Sequence, residues 1–193
     1  MYPYGKVQAQ FPNIRCVFLD RDGVINRKPP EGLYVWRWED FHFLPGVEAA
    51  IAALNRSGRR VVVISNQRGV ALGLYAKADV DALHARLQEH LAGYGARIDG
   101  FYYCPHDKKE CDCRKPRTGL FKQALRDFPE AAPVSSLVIG DSLSDMEAAR
   151  NFGSASIFIQ GDPATQKPGA EQGATLADAV CSSLAEAVER FLV

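Results

Sequence analysis

Residues 60–64 read Arg-Val-Val-Val-Ile, and the chain then turns polar at Ser65-Asn66-Gln67. A β-branched run with no polar residue inside it suits a strand buried on both faces. Strands of that kind belong to parallel sheets sheathed in helices. A shorter run, Cys16-Val-Phe-Leu19, has the same character and ends in two acids, Asp20 and Asp22, followed by Gly23.

The rest of the chain alternates in the same way. Strands are expected over 15–19, 60–64, 98–103, 137–139 and 155–159, and helices over 47–55, 78–91, 118–128, 144–151 and 184–192. Val47, Ala50, Ile51 and Leu54 share one helical face, as do Val80, Leu83, Leu87 and Leu91. Ser144 with Glu147 has the form of a capping box. Residues 160–173, rich in Gly and Pro, read as a surface loop. This pattern predicts an α/β fold, a three-layer Rossmann-like arrangement around a central parallel sheet, with residues 1–193 as one domain. Ligands of such sheets gather beyond the carboxyl ends of the strands.

That rule can be tested within the sequence. The first strand ends at Asp20 and Asp22, the second at Ser65-Asn66-Gln67, and the fourth at Gly140-Asp141 with Asp145 one step on. Asp-x-Asp-Gly alone also fits an acidic turn. Reactive side chains at three strand ends of one sheet edge favour a site. Two carboxylates so close repel each other, so a cation or a proton is expected between them.

Composition removes several classes. Among 193 residues, 23 bases balance 23 acids, which advertises neither a nucleic-acid partner nor a membrane surface. No apolar run is long enough to span a bilayer. Residues 1–12 lack the layout of a signal peptide, so a cytoplasmic protein is expected, a monomer or small homo-oligomer by size. Three of the five cysteines lie close together: Cys104-Pro-His106, four residues, then Cys111-Asp-Cys113. Three thiolates and one imidazole make a closed tetrahedral set suited to structural zinc. Cys16 and Cys181 have no such pattern and read as small buried apolar residues. His84 and His90, on the 78–91 helix, read as surface or boundary residues, and Trp38, Phe41 and Phe43 as ordinary packing.

Four ordered motifs, Asp20-Arg21-Asp22-Gly23, Ser65-Asn66-Gln67, Arg114-Lys115-Pro116 and Gly140-Asp141 with Asp145, resemble those of the haloacid dehalogenase superfamily (HAD). Together with the cysteine pattern they resemble its small branch without a large cap, the histidinol-phosphate phosphatases and heptose-1,7-bisphosphate 7-phosphatases. The resemblance implies a HAD-like fold with a zinc-binding loop, 104–113, after the third strand, and a flap, 24–43, in place of a cap. It implies that Asp20 attacks phosphorus and that Asp22 serves as acid and then base. Magnesium would lie between Asp20, the backbone carbonyl of Asp22, and Asp141, with Asp145 in support. Ser65 and Lys115 would offset charge on the phosphoryl oxygens. Asn66, Arg114, Lys28, Gly32, Tyr34 and Arg68 would contact substrate.

Taken singly, several of these residues have plainer readings. Ser65 fits a strand-end turn, Lys115 a solvated lysine, Arg114 a rim ion pair, and Asp145 a first-turn acid favoured by the helix dipole. As a set they imply a magnesium-dependent phosphomonoester hydrolase acting on a small phosphorylated metabolite. The Asp-Gly-Val-Ile-Asn26 and Tyr-Tyr-Cys-Pro-His segments are similar to the heptose enzymes, which points to the 7-phosphate of D-glycero-D-manno-heptose 1,7-bisphosphate. The short spacer between His106 and Cys111, and Arg68 in a place usually small or acidic, leave histidinol phosphate as the alternative. From another class stands a zinc-stabilised binding module without catalysis.

Overall fold

The computed structural model describes residues 11, 13–108 and 110–193. Its strands are β1 (Cys16–Leu19), β2 (Arg60–Asn66), β3 (Gly100–Cys104), β4 (Ser136–Gly140), β5 (Ala155–Ile159) and β6 (Ala179–Cys181). They form one sheet in the order β3-β2-β1-β4-β5-β6, with every neighbouring pair parallel. The helices are α1 (Val47–Arg56), α2 (Lys77–Ala92), α3 (Gly119–Asp127), α4 (Leu143–Phe152), α5 (Ala170–Leu176) and α6 (Leu184–Phe191). The strand order reverses between β1 and β4, and such a switch point opens a crevice at the carboxyl edge.

Side-chain alternation divides the apolar runs between two cores. Val17, Leu19, Val61, Val63, Leu137, Ile139, Ile157 and Ile159 face one side, against residues of α1, α2 and α6. Cys16, Phe18, Val62, Ile64 and Val138 face the other, against residues of α3 and α4. Phe18 meets Phe121 edge-on with centroids 5.0 Å apart, which locks β1 onto α3. The two-sided burial inferred from the Val-Val-Val-Ile run is therefore observed, and Cys16 and Cys181 are buried as expected.

Three local readings need correction. Residues 160–173 are not all loop: α5 begins at Ala170, and β6 follows it as a short edge strand. The capping box of α4 is Ser142 with Asp145, not Ser144 with Glu147. Because β4 ends at Gly140, the helix begins at Leu143, and Asp145 Oδ2 accepts from the Ser142 amide at 3.1 Å. His84 is buried, not on the surface, and its ring stacks on Phe101 with centroids 4.5 Å apart. It follows Val80 by one helical turn and so lies on the apolar stripe.

After β1 the chain turns tightly through Arg21–Asn26, makes an excursion, and returns through an antiparallel bridge between Asn26 and Phe43. Trp38, Phe41 and Phe43 anchor its far end, Trp38 and Phe41 stacked at 5.6 Å and Phe43 stacked on His90 at 4.4 Å. Those three aromatics pack, as expected of them.

Candidate active site

Strands β1, β2 and β4 deliver polar groups to the same edge. Asp20 follows β1, and its amide donates to the Ile139 carbonyl of β4 at 3.0 Å, holding the two strand ends together. Asp141 follows β4, and Asp145 lies on the first turn of α4. Asp20, Asp141 and Asp145 each offer a carboxylate oxygen within 4.8 Å of the others. Gly23 permits this closeness. It has φ +98°, and a Cβ there would collide with the Asp141 carboxylate.

Two ammonium groups enter this acid cluster. Lys115 Nζ lies 3.0 Å from Asp20 Oδ1 and 2.6 Å from Asp145 Oδ1, and donates to the Ile64 carbonyl at 2.6 Å. Lys28, from the excursion, contacts Asp141 Oδ2. Burial alone would lower the pKa of Lys115, but the Asp145 and Asp20 carboxylates outweigh it and raise it. Burial raises Asp20, aided by Asp145 and Asp22 and opposed by Lys115. Asp141 is pushed up to about 6 by burial, against the pull of Lys28. Burial would also raise Asp145, but Lys115 and Ser142 hold it below the usual carboxylate range. Three carboxylates thus face two ammonium groups, and Asp141 Oδ1 is buried without a hydrogen-bond partner. Crowded hard oxygens with an unsatisfied lone pair fit a divalent cation.

Asp22 is drawn aside from that cluster. Its two carboxylate oxygens accept from Arg21 Nη2 at 3.1 and 2.9 Å, and Oδ1 also accepts from Asn26 Nδ2 at 2.9 Å. Burial would raise its pKa, but Arg21, Asn26 and Gln67 outweigh burial and lower it. Arg21 is wholly buried and also donates to the Val35 carbonyl at 2.6 Å, so it ties the excursion to Asp22. Ser65, at the end of β2, is buried and joined to Asp22 through Gln67.

The remaining candidates take varied positions. Asn66 exchanges two hydrogen bonds with the backbone of Lys115, at 3.2 and 3.1 Å, and so fixes the loop that carries it. Arg114 has a buried Nη1 without a hydrogen-bond partner. Arg68 grips Asp107 with two nitrogens, at 2.5 and 3.2 Å, which holds Asp107 near pKa 2. Gly32 and Tyr34 line a cavity of about 610 Å³ under the excursion, together with Lys28, Trp36, His42 and Tyr75. Lys28 also lines a second cavity of about 310 Å³, which reaches Asp141, Gln160 and Ser183.

Cys104, His106, Cys111 and Cys113 converge after β3, with one donor atom of each within 4.8 Å of the others. The Cys111 sulfur lies 3.4 Å from that of Cys104 and 3.2 Å from that of Cys113. His106 Nδ1 lies 3.7 Å from the Cys104 sulfur and 3.2 Å from that of Cys113. A tetrahedron with metal–sulfur bonds of about 2.3 Å has edges of about 3.8 Å. The set is therefore disposed to close on one metal ion. The Asp112 carbonyl accepts from the Gly119 amide at 3.0 Å, so this loop packs on the start of α3 and flanks Arg114 and Lys115.

The sequence reading gave no role to Arg21, Asn26, Gln67 or Tyr75. Three of the four sit inside or beside the quoted motifs, and their positions there were the available signal. Tyr75 carries none.

A family model for HAD-hydrolase-like proteins matches residues 112–187. The D-glycero-alpha-D-manno-heptose-1,7-bisphosphate 7-phosphatase of Mycobacterium bovis is 45% identical over 172 residues, covering 89% of this chain and 88% of the relative. The D-glycero-beta-D-manno-heptose-1,7-bisphosphate 7-phosphatase of Vibrio cholerae is 40% identical over 178 residues, covering 88% and 91%. Among solved structures, a D,D-heptose 1,7-bisphosphate phosphatase from B. bronchiseptica, complexed with magnesium and phosphate, superposes with TM-score 0.82 at 31% identity, covering 93% of this chain and 98% of that one.

Proposed function

The chain belongs to the HAD-like heptose-1,7-bisphosphate 7-phosphatases, and from that premise we propose that it removes the 7-phosphate of D-glycero-D-manno-heptose 1,7-bisphosphate through a phosphoaspartate on Asp20. The observation that carries the mechanism is the convergence of Asp20, Asp141 and Asp145 around Lys115 at the switch point of the sheet.

Asp20 is the nucleophile in this reading, with its oxygen turned into the acid cluster by its bond to Lys115. Asp20, Asp141 and the backbone carbonyl of Asp22 would hold magnesium, with Asp145 supporting through Lys115. When bound, that ion supplies Lewis-acid charge that lets the carboxylates and a phosphate dianion share one pocket. Lys115 and Ser65 offset charge on the phosphoryl oxygens as the bond to the leaving oxygen breaks. Asp22, ionised in the resting site, takes up a proton as the phosphate dianion binds beside it, gives it to that oxygen, and afterwards takes one from the water that opens the acyl phosphate. Lys28 and Tyr34 line a cavity that would take the sugar, and Arg114 and Arg68 would offer cations to its second phosphate. The Cys104, His106, Cys111 and Cys113 set would hold zinc, and four protein ligands would leave that ion a structural role.

The higher identity to the relative named for the α anomer favours that anomer as substrate. The three clustered thiols suit a reducing compartment, which supports a cytoplasmic reaction. No helix among the described residues is long and apolar enough to cross a membrane. The test is kcat/KM with magnesium on the α and β heptose bisphosphates and on histidinol phosphate. The α heptose bisphosphate should lead; preference for histidinol phosphate would overturn the substrate assignment.

A further inference from the structure

Gln67 is buried at the carboxyl end of β2 with both ends of its amide engaged. Oε1 accepts from the Tyr75 hydroxyl at 2.8 Å. Nε2 donates to Ser65 Oγ at 2.8 Å and to Asp22 Oδ2 at 3.3 Å. The reversed amide would set a carbonyl oxygen against the Asp22 carboxylate, two acceptors with no hydrogen between them. Because Ser65 Oγ accepts here, its own hydrogen remains free to point elsewhere.

Tyr75 is itself closely seated. Its ring lies where a Cβ on Gly69 would be, so Gly69 leaves the room it needs. Trp36 stacks on it and Tyr34 meets it edge-on, both with centroids 5.9 Å away. These two aromatics belong to the excursion that roofs the larger cavity. A continuous chain of contacts thus runs from that roof through one phenol and one amide to Ser65 and Asp22.

We propose that Gln67 and Tyr75 are positioning residues of this active site: Tyr75 fixes the Gln67 amide, and the amide aims the Ser65 hydroxyl and the Asp22 carboxyl at the phosphoryl group. This rests on the phosphatase reading above and concerns how its groups are held. Neither residue touches the reacting atoms. Their loss therefore acts on turnover far more than on binding. Since both act through one hydrogen-bonded path, their effects are not independent.

The test uses Tyr75→Phe, which keeps the ring and removes only the hydroxyl, with Gln67→Leu and the double variant. Tyr75→Phe should lower kcat about tenfold, the worth of one aligned hydrogen bond, with KM within about twofold. Gln67→Leu should lower kcat further, and adding Tyr75→Phe to it should cost nothing more. Wild-type kcat in Tyr75→Phe, or losses that multiply in the double variant, would overturn the proposal. A second readout needs no substrate. The side-chain amide protons of Gln67, followed by ¹⁵N NMR in the full chain, should exchange slowly in the wild type and faster in Tyr75→Phe. Unchanged exchange would also overturn it. Absence of heptose bisphosphatase activity in the wild type would count against the proposed function alone, leaving the NMR comparison to decide this inference.

Discussion

The acid cluster and the sulfur cluster are neighbours in the chain, Cys113 standing two residues before Lys115, yet they are built in opposite ways. The acids hang from the ends of β1 and β4, strands buried on both faces and held in register by the sheet. Their geometry is set by the fold. In the sulfur cluster Cys104 ends β3, but the other three ligands lie on the loop beyond it, whose described residues form no regular element, so the ligand set itself is what gathers that loop. Taking away a metal should therefore empty the first cluster and loosen the second.

Three substitutions sharpen that contrast, in order of expected effect. Asp20→Asn should abolish magnesium-dependent phosphate release, by about 10⁵-fold for loss of a nucleophile, without lowering Tm, since the change relieves like-charge crowding. A lowered Tm would mean that the acids support the fold. Asp22→Asn should keep magnesium and substrate binding and slow turnover by about 10²–10⁴; weaker substrate binding with unchanged kcat would assign it a different role. Cys111→Ser should release zinc and lower Tm by about 5–10 °C, while far-UV dichroism keeps the signature of the sheet. Full zinc content with normal melting would break the comparison on its other side.

The smallest effect concerns acid stability. Burial pushes the pKa of His84 down to about 3 from an ordinary 6.5. Between those values the unfolded chain binds a proton that the folded chain refuses. Stability from this residue is therefore present above pH 6.5 and falls as pH drops toward 3, by at most about 1.4 kcal/mol per unit. His84→Phe, which keeps the stack on Phe101, should flatten the Tm profile across that window. An unchanged slope would show that His84 is free to take up its proton in the folded state.

Much of this architecture is legible in the sequence because the burial is two-sided. The runs that became β1, β2, β4 and β5 are apolar without alternation, and their polar ends mark the crevice directly. What escaped was weakly patterned. β6 has three residues with an exposed Val180 at its middle, and α5 holds Gly173 and Thr175, both poor helix formers. The cap of α4 was ambiguous because Ser142 with Asp145 and Ser144 with Glu147 have the same spacing; only the end of β4 decides between them. In the site, Asp20 and Asp141 were legible because each follows a strand and Asp145 because it opens a helix, whereas Lys115 lies in the turn between β3 and α3 and was marked only by its motif. The network around Asp22 went unassigned because its contacts follow no periodicity, although three of its members sit in or beside the motifs. Arg21 points back to its neighbour, and Tyr75 reaches Gln67 across an irregular loop whose course no periodicity encodes.

The central claim is that Asp20 carries the phosphoryl group at the focus of the acid cluster. Quenching the magnesium-loaded enzyme in acid during turnover of heptose bisphosphate, followed by peptide mass spectrometry, tests it most directly. A phosphoryl group should appear on the peptide containing Asp20 and vanish in Asp20→Asn together with phosphate release. Turnover that survives Asp20→Asn, or a phosphoryl group on any other residue, would contradict it.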